Sequence, residues 1–511
     1  MAISGFRVAS RLIGLQLVTR LLGTLLNTAV IRKCGPEILG FASFRFELFL
    51  TTVISLSRDG LRVALLRFVP PPQDKPEHYQ GWVWNLFVIS WLAIPLSIPI
   101  ALLIGCISYC LSFDDPALVG LGPYALQLLL LYWVVAAIDL FAEPFALYFL
   151  HTANDERSPA IRFRIETSSA LLKSMVTWTL LSKGDVANDG FRVGAWSFFL
   201  GSLSGSIARL ALSLYYFRPN LLVAARIDRP TVLHGLAMSK QIGLRYMLAQ
   251  GDMHLVAFLC SLPEQAVYAV ASNYGSLFCR LLLQPLEETT LQLYSTEKHQ
   301  QHEFLATALK LEVLLGLMAM AFGPPNAGWT VKLLLGNRWS QATGTSSLAS
   351  VLTAYCFLVL PMALSGILEA YTTARLPQSK LPWMQKMVFL VTLAYLCLSA
   401  LLMRAFGAVG LVLANIFNFA ARLALSLIAD RDMGRSLAPL WAKAIPSKST
   451  LCLLAACSAV NWIAAVRAGV PFRAVIGVSS GIMFLAALLF TERALVRSIR
   501  KESRSTVAKE D

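Results

Sequence analysis

Ala208-Arg209-Leu210-Ala211-Leu212-Ser213-Leu214 recurs unchanged as Ala421–Leu427, an offset of 213 residues. One heptamer can recur by chance among leucine-rich helices, but two further echoes keep the same order. Pro36-Glu37 followed by Gly40-Phe41-Ala42 returns as Pro263-Glu264 followed by Val267-Tyr268-Ala269, offset 227. Glu143, two residues before Phe145, matches Glu369, two before Tyr371, at offset 226. The chain therefore contains an internal repeat. Each copy holds about six apolar stretches; an even number gives both copies the same orientation, related by a pseudo-two-fold axis along the membrane normal. Two such six-helix lobes around a midplane cavity suit alternating access, so the architecture points to a transporter.

Composition supports a membrane setting. Hydrophobic residues make up 56% of the 511, charged residues only 14%, and mean hydropathy is +0.62. Soluble chains carry about 25% charged residues. Apolar runs of about 20 residues, enough for a helix to cross about 30 Å of hydrocarbon, lie near residues 11–31, 47–66, 82–112, 119–150, 160–182, 193–217, 238–261, 266–294, 304–323, 346–374, 383–403, 406–429, 450–467 and 473–491. The ten-residue alternation of a transmembrane barrel is missing. The expectation is an all-α polytopic membrane protein of about fourteen transmembrane helices, with twelve if charged spans lie at the interface. Residues 1–220 form one six-helix lobe, 221–432 the second, 433–495 two additional helices, and 496–511 a basic tail.

The first span is retained rather than cleaved, because Arg7, Arg11 and Arg20 interrupt it and no small-x-small site follows. The nine cysteines are scattered without a CxxC pair, which supports neither a metal site nor a disulfide framework. No cofactor motif stands out. No Asn-x-Ser/Thr sequon occurs. The net charge of +15 is not gathered into a basic run with interleaved aromatics, so no nucleic-acid partner is expected. Distributed over alternate sides, roughly 26 Lys and Arg fall with the two termini and roughly 10 opposite. Both termini are thus expected in the cytosol.

Ionisable groups at mid-membrane cost about 2.5–3.5 kcal/mol on insertion scales and normally face a cavity or a partner. The first lobe carries Arg20, then Arg58, Asp59 and Arg62, with Arg45 and Glu47 at the entrance to the second span. Arg58 and Arg62, four apart, share a helix face. Their planar forks suit a phosphate, so Arg20, Arg58, Arg62 and Arg45 are candidate diphosphate ligands; alternatively Asp59, Glu47, Asp139 and Glu143 pair with them to lock the lobe. Offset 227 sets Gln284-Pro285-Leu286-Glu287-Glu288 opposite Ser57–Leu61, acidic where the first lobe is cationic. Glu287 and Glu288, like Asp59, Glu143 and Glu369, are candidate gating or coupling groups, with a structural role the alternative. Arg209 and Arg422 are expected to anchor packing or an interface, and Gly201 with Gly205 to bring helices close.

Five stretches carry a family resemblance: SRDGLR (Ser57–Arg62), AEP (Ala142–Pro144), NYGSLFCRLLLQPLEE (Asn273–Glu288), PMALSGILEAY (Pro361–Tyr371) and GAVGLVLANIFNFAAR (Gly407–Arg422). Through them the sequence resembles the eukaryotic Rft proteins, proposed flippases of dolichol-linked oligosaccharide within the multidrug/oligosaccharidyl-lipid/polysaccharide exporter superfamily. The resemblance implies a fourteen-helix, two-lobed fold in the endoplasmic reticulum membrane. Its implied partner is a dolichyl-diphosphate heptasaccharide, Man5GlcNAc2-PP-dolichol, moved to the lumenal leaflet for N-glycosylation, with membrane lipids around it. Asp59 and Gly60 depart from the residues expected there, and the last two spans match little. A non-transporting accessory factor and a cation-coupled exporter remain alternatives. A glycosyltransferase is disfavoured because Asp114-Asp115 lie in a short loop before Pro116, and no hydrolase nucleophile is evident. The oligomeric state is left open, a monomer being sufficient.

Overall fold

The computed structural model describes residues 22–66, 76–111, 122–151, 157–183, 186–217, 227–279, 283–295, 302–340, 347–377, 379–431, 438–467 and 469–492. Among the described residues there is no strand. The chain divides into two compact units, Met1–Gln265 and Ala266–Asp511.

In the first unit, α1 (22–33) leads to α2 (Pro36–Gly40), a π-helical turn (Phe41–Glu47) and α3 (Leu48–Leu66). There follow α4 (Pro76–Trp91), α5 (Ala93–Leu111), α6 (Gly122–His151), α7 (Arg157–Lys183), α8 (Val186–Tyr216), α9 (Arg229–Ala249) and α10 (Gly251–Leu259). The boundary between units falls inside α11 (Leu262–Phe278). The second unit continues with α12 (Gln284–Ser295), α13 (His302–Leu335), α14 (Asn337–Ser340), α15 (Leu348–Arg375), α16 (Leu381–Phe406) and α17 (Ala408–Arg431). It closes with α18 (Ala438–Ala444), α19 (Lys448–Arg467) and α20 (Val470–Thr491).

Ten helices among the described residues are long and apolar enough to cross a membrane. The protein is an all-α polytopic membrane protein. The expected spans near 160–182, 238–261 and 266–294 are helical but do not pass the same test, and most of 11–31 lies outside the described residues. α7 is full length but carries Arg162, Arg164, Glu166 and Lys173. The span near 238–261 is divided: α9 stops at Gln250 (φ −103°, ψ 8°) before α10 begins at Gly251. In the span near 266–294, residues 280–282, between α11 and α12, lie outside the described residues.

Apolar packing fills each unit. Phe46 on the π turn stacks on Tyr132 of α6, centroids 4.2 Å apart, and meets Phe41 edge-on at 4.5 Å. Farther along α3, Leu61 and Leu65 join Trp82, Phe87 and Phe145. Close helix seams are made by residues without bulk. A methyl group on Gly201 would strike Thr177, and one on Gly205 would crowd Ser169, so the GxxxG pair brings α8 against α7 as the spacing predicts. Gly60 meets Ser239 and Gly235 meets Leu61 between α3 and α9. The α16–α17 corner needs Gly407, whose φ of +57° disfavours a β-carbon.

The two last helices dock on α13 through polar groups. Asn326 Nδ2 donates to Asn461 Oδ1 at 3.2 Å, and Asn461 Nδ2 donates to Ser480 Oγ at 2.7 Å. Their outer face bears exposed Val466, Phe472, Val475 and Phe490, as lipid contact requires. At the membrane end of α20, Glu492 pairs with Lys310 and accepts the Ser447 N–H at 2.7 Å and the Thr450 hydroxyl at 2.9 Å. Burial opposes its charge, but these bonds outweigh burial and hold its carboxyl below the usual carboxylate range. A depressed native pKa stabilises above the unfolded value, about 4.3, and that stabilisation is lost as pH falls through the native one. Acidification below about pH 4 should therefore loosen the hairpin in wild type, while Glu492→Gln should remove this acid-sensitive increment from thermal unfolding curves. Asn461→Leu should cost about 1–2 kcal/mol in the same assay; an unchanged midpoint would show that the amide ladder does not hold the hairpin.

Candidate functional site

The ionisable groups of the first unit converge from four helices. α3 contributes Arg58, Asp59 and Arg62; α6 contributes Asp139 and Glu143; α7 contributes Arg162 and Glu166; α8 contributes Arg209. All except Asp59 line one cavity of about 210 Å³, with Ala142, Ala146, Phe149, Ile165 and Ser213 completing its wall. Four guanidinium groups and three carboxylates thus line one cavity, Arg209 and Glu166 at its exposed side.

Glu143 is the hub of this arrangement. Its Oε2 accepts from Arg58 Nη1 at 3.2 Å, and its Oε1 lies 3.4 Å from Arg62 Nη1, an ion pair without hydrogen-bond geometry. Arg58 also donates twice to Asp59 Oδ1, from Nε at 3.0 Å and Nη2 at 2.9 Å. One guanidinium has five N–H donors, so Arg58 is largely committed to protein carboxylates while Arg62 makes one looser contact. Arg209 Nη1 donates to Asp139 Oδ1 at 3.2 Å, and Arg162 Nε to Glu166 Oε1 at 2.8 Å. The donors left over point to one chemistry, that of a multiply charged anion such as a phosphate ester.

The expected ligands do not all gather here. Arg58 and Arg62 are brought together. Arg45 sits on the π turn and does not line this cavity; Glu47 beside it is held by Lys173 Nζ at 2.8 Å. Arg20 lies outside the described residues, as do Asp114 and Asp115. Sequence reading passed over Arg162 and Glu166. Their signal was available: opposite charges four apart inside an expected span, on one helix face.

The second unit has the opposite sign. A cavity of about 590 Å³ is lined by Glu287, Glu288, Glu369 and Arg422 together with Gln284, Ser365 and Gly366. Arg422 grips Glu369 with two parallel bonds, Nε to Oε2 at 3.0 Å and Nη2 to Oε1 at 2.8 Å. Gln284 Nε2 donates to Glu288 Oε1 at 2.7 Å. Glu287 lies against the bare backbone of Gly366, where a methyl group would collide with its carboxylate. The expected gating residues Glu287, Glu288 and Glu369 therefore share one cavity, whereas Asp59 and Glu143 belong to the first unit.

Repeat-related arginines make related but shifted pairs. Arg422 takes Glu369, the repeat counterpart of Glu143. Arg209 instead takes Asp139, one turn earlier on α6, which leaves Glu143 for Arg58 and Arg62.

The comparisons with known proteins agree with this architecture. Lipid II flippase MurJ in an inward closed conformation superposes with a TM-score of 0.61 at 14% identity, covering 94% of this chain and 98% of that one. A multidrug resistance MATE family transporter of the MOP superfamily, in an inward-facing conformation, gives 0.53 at 16% identity, covering 81% and 94%. At such identities the likeness is one of fold. Among sequence relatives, the Man(5)GlcNAc(2)-PP-dolichol translocation protein RFT1 of Xenopus tropicalis is 28% identical over 490 residues, 89% of this chain and 87% of the relative. The protein of the same name from Saccharomyces cerevisiae is 28% identical over 414 residues, 70% of each. The Rft protein family matches residues 4–502, and the chain belongs to that family.

Proposed function

We propose that this protein takes part in dolichol-linked oligosaccharide assembly for N-glycosylation, by moving Man5GlcNAc2-PP-dolichol from the cytosolic to the lumenal leaflet of the endoplasmic reticulum membrane by alternating access. It acts as a lipid transporter and not as an enzyme. Family membership and the names of its relatives support the substrate. The observation that carries the mechanism is the arginine-lined cavity of the first unit, because a diphosphate crossing an apolar layer needs fixed cations in place of water.

In this reading Arg58 and Arg62, with Arg20 and Arg45 as further candidates, receive the diphosphate, and the dolichyl chain stays in lipid. Glu143 stands where the phosphate will be: arrival of the anion competes for Arg62 first, the looser of its two contacts. Asp59, Glu143, Glu287, Glu288 and Glu369 serve gating. The six-helix lobes are 1–220 and 221–432, with 433–495 an added pair and 496–511 a cytosolic tail; both termini face the cytosol, as the distribution of Lys and Arg supports.

Reconstitution into vesicles carrying labelled lipid-linked oligosaccharide tests the reading. Transbilayer movement should exceed that in protein-free vesicles; equal rates would favour the accessory-factor reading. Arg62→Ala should cause underglycosylation at normal protein abundance, and Arg62→Lys should restore only part, because a single ammonium lacks the planar fork. Glu143→Ala leaves half-buried Arg62 without its carboxylate, while Arg58 keeps Asp59, and should lower stability in unfolding experiments. Full complementation by Arg58→Ala and Arg62→Ala together would remove this cavity from the mechanism.

A further inference from the structure

Glu312 of α13 is 0% exposed, and neither of its carboxyl oxygens has a hydrogen-bond partner. It lies about 12 Å along the helix axis from Phe304, where the apolar span begins. Its direction follows from its neighbours. Gly316, one turn on, touches Leu360 of α15, and Gly323 touches Cys356. At about 100° per residue, positions 312, 316 and 323 share one face of α13. Glu312 therefore projects into the seam between α13 and α15. The two contacts run antiparallel, so the next turn of α15 toward Glu312 contains Leu364.

The surroundings offer no neutralising cation. Lys310, on the same helix, is taken by Glu492. Glu369, on α15, is held by Arg422 and itself repels Glu287. Arg338, Arg375, Lys443, Lys448, Arg467 and Arg473, on the other helices packed against α13 or on α15, do not pair with Glu312 among the described residues. A bare carboxylate in such a place costs several kcal/mol, so it needs a positive charge of its own. A metal ion would require several converging oxygens, and among the described residues no three acidic, His or Cys side chains form such a group. A proton needs one.

We propose that Glu312 is a proton-binding site of the second unit, neutral in the folded protein. An O–H bond forms on a Glu312 oxygen as an O–H bond of hydronium breaks and water departs, so charge in the seam returns to zero without a counterion.

Infrared difference spectroscopy of the full-length protein in lipid nanodiscs, stepped in pH, tests this. Wild type should show a protonated carboxylic C=O band at neutral pH that is lost in Glu312→Gln, a neutral near-isostere. Should Glu312→Gln fail to fold, Glu312→Asp should move the band without abolishing it. A band unchanged by either substitution overturns the proposal. So does a band displaced by added sodium at constant pH, which would make the site one for a metal cation.

Discussion

A charge inside a hydrocarbon layer must find its counter-charge within the same helical bundle, and in this protein that requirement decides which helices meet. Glu143 ties α6 to α3 through Arg58 and Arg62, and Asp139 ties α6 to α8 through Arg209. In the second unit Glu369 ties α15 to α17 through Arg422. Breaking one partner of such a pair costs far more than the pair contributes net, so these contacts act less as glue than as rules of register. The apolar clusters supply the bulk of the packing around them, and small residues such as Gly201 and Gly316 let the backbones come near enough for the rules to be met.

The repeat shows how such a rule can be varied. The two arginines occupy equivalent places in ARLALSL, yet they take carboxylates one helical turn apart. That shift frees Glu143 to face α3, where arginines stand, while its counterpart Glu369 is fully engaged by Arg422. The segment equivalent to the α3 arginines carries Glu287 and Glu288 instead. A duplicated scaffold thus holds a cationic cavity in one unit and an acidic one in the other, on repeat-related segments. Opposite signs allow the units to do different work: one can receive an anion and the other can exchange a cation, without any change of fold.

The same constraint explains the added helices. α19 and α20 present an almost wholly apolar outer face, which alone would let them drift in lipid. Asn326, Asn461 and Ser480 satisfy one another between helices, and the Glu492 carboxylate gathers Lys310, Ser447 and Thr450 at the end. Polar groups that cannot stay unpaired in the layer fasten a hairpin that hydrophobicity cannot fasten.

Hydropathy and repetition along the chain determined much by themselves: an all-helical membrane protein, its internal duplication, Arg58 and Arg62 on one face, acidic residues opposite them in the second copy, and the GxxxG seam. These depend on period and composition, which are local. Tertiary structure alone decided partnership. That Arg209 takes Asp139 and not Glu143, that Arg162 turns into the same cavity while Arg45 does not, and that the span near 238–261 breaks at Gln250, all depend on helix register and crossing, which single-chain periodicity does not encode. Glu312 is the clearest case. In the sequence it is one acid in an apolar run, with Lys310 two residues away as an evident partner. Folding gives Lys310 to Glu492, some 180 residues on, and leaves Glu312 buried with no hydrogen-bond partner on either carboxyl oxygen among the described residues. The heptamer Ala208–Leu214 and its copy announce two like halves; only the pairing of their arginines reveals how the halves differ.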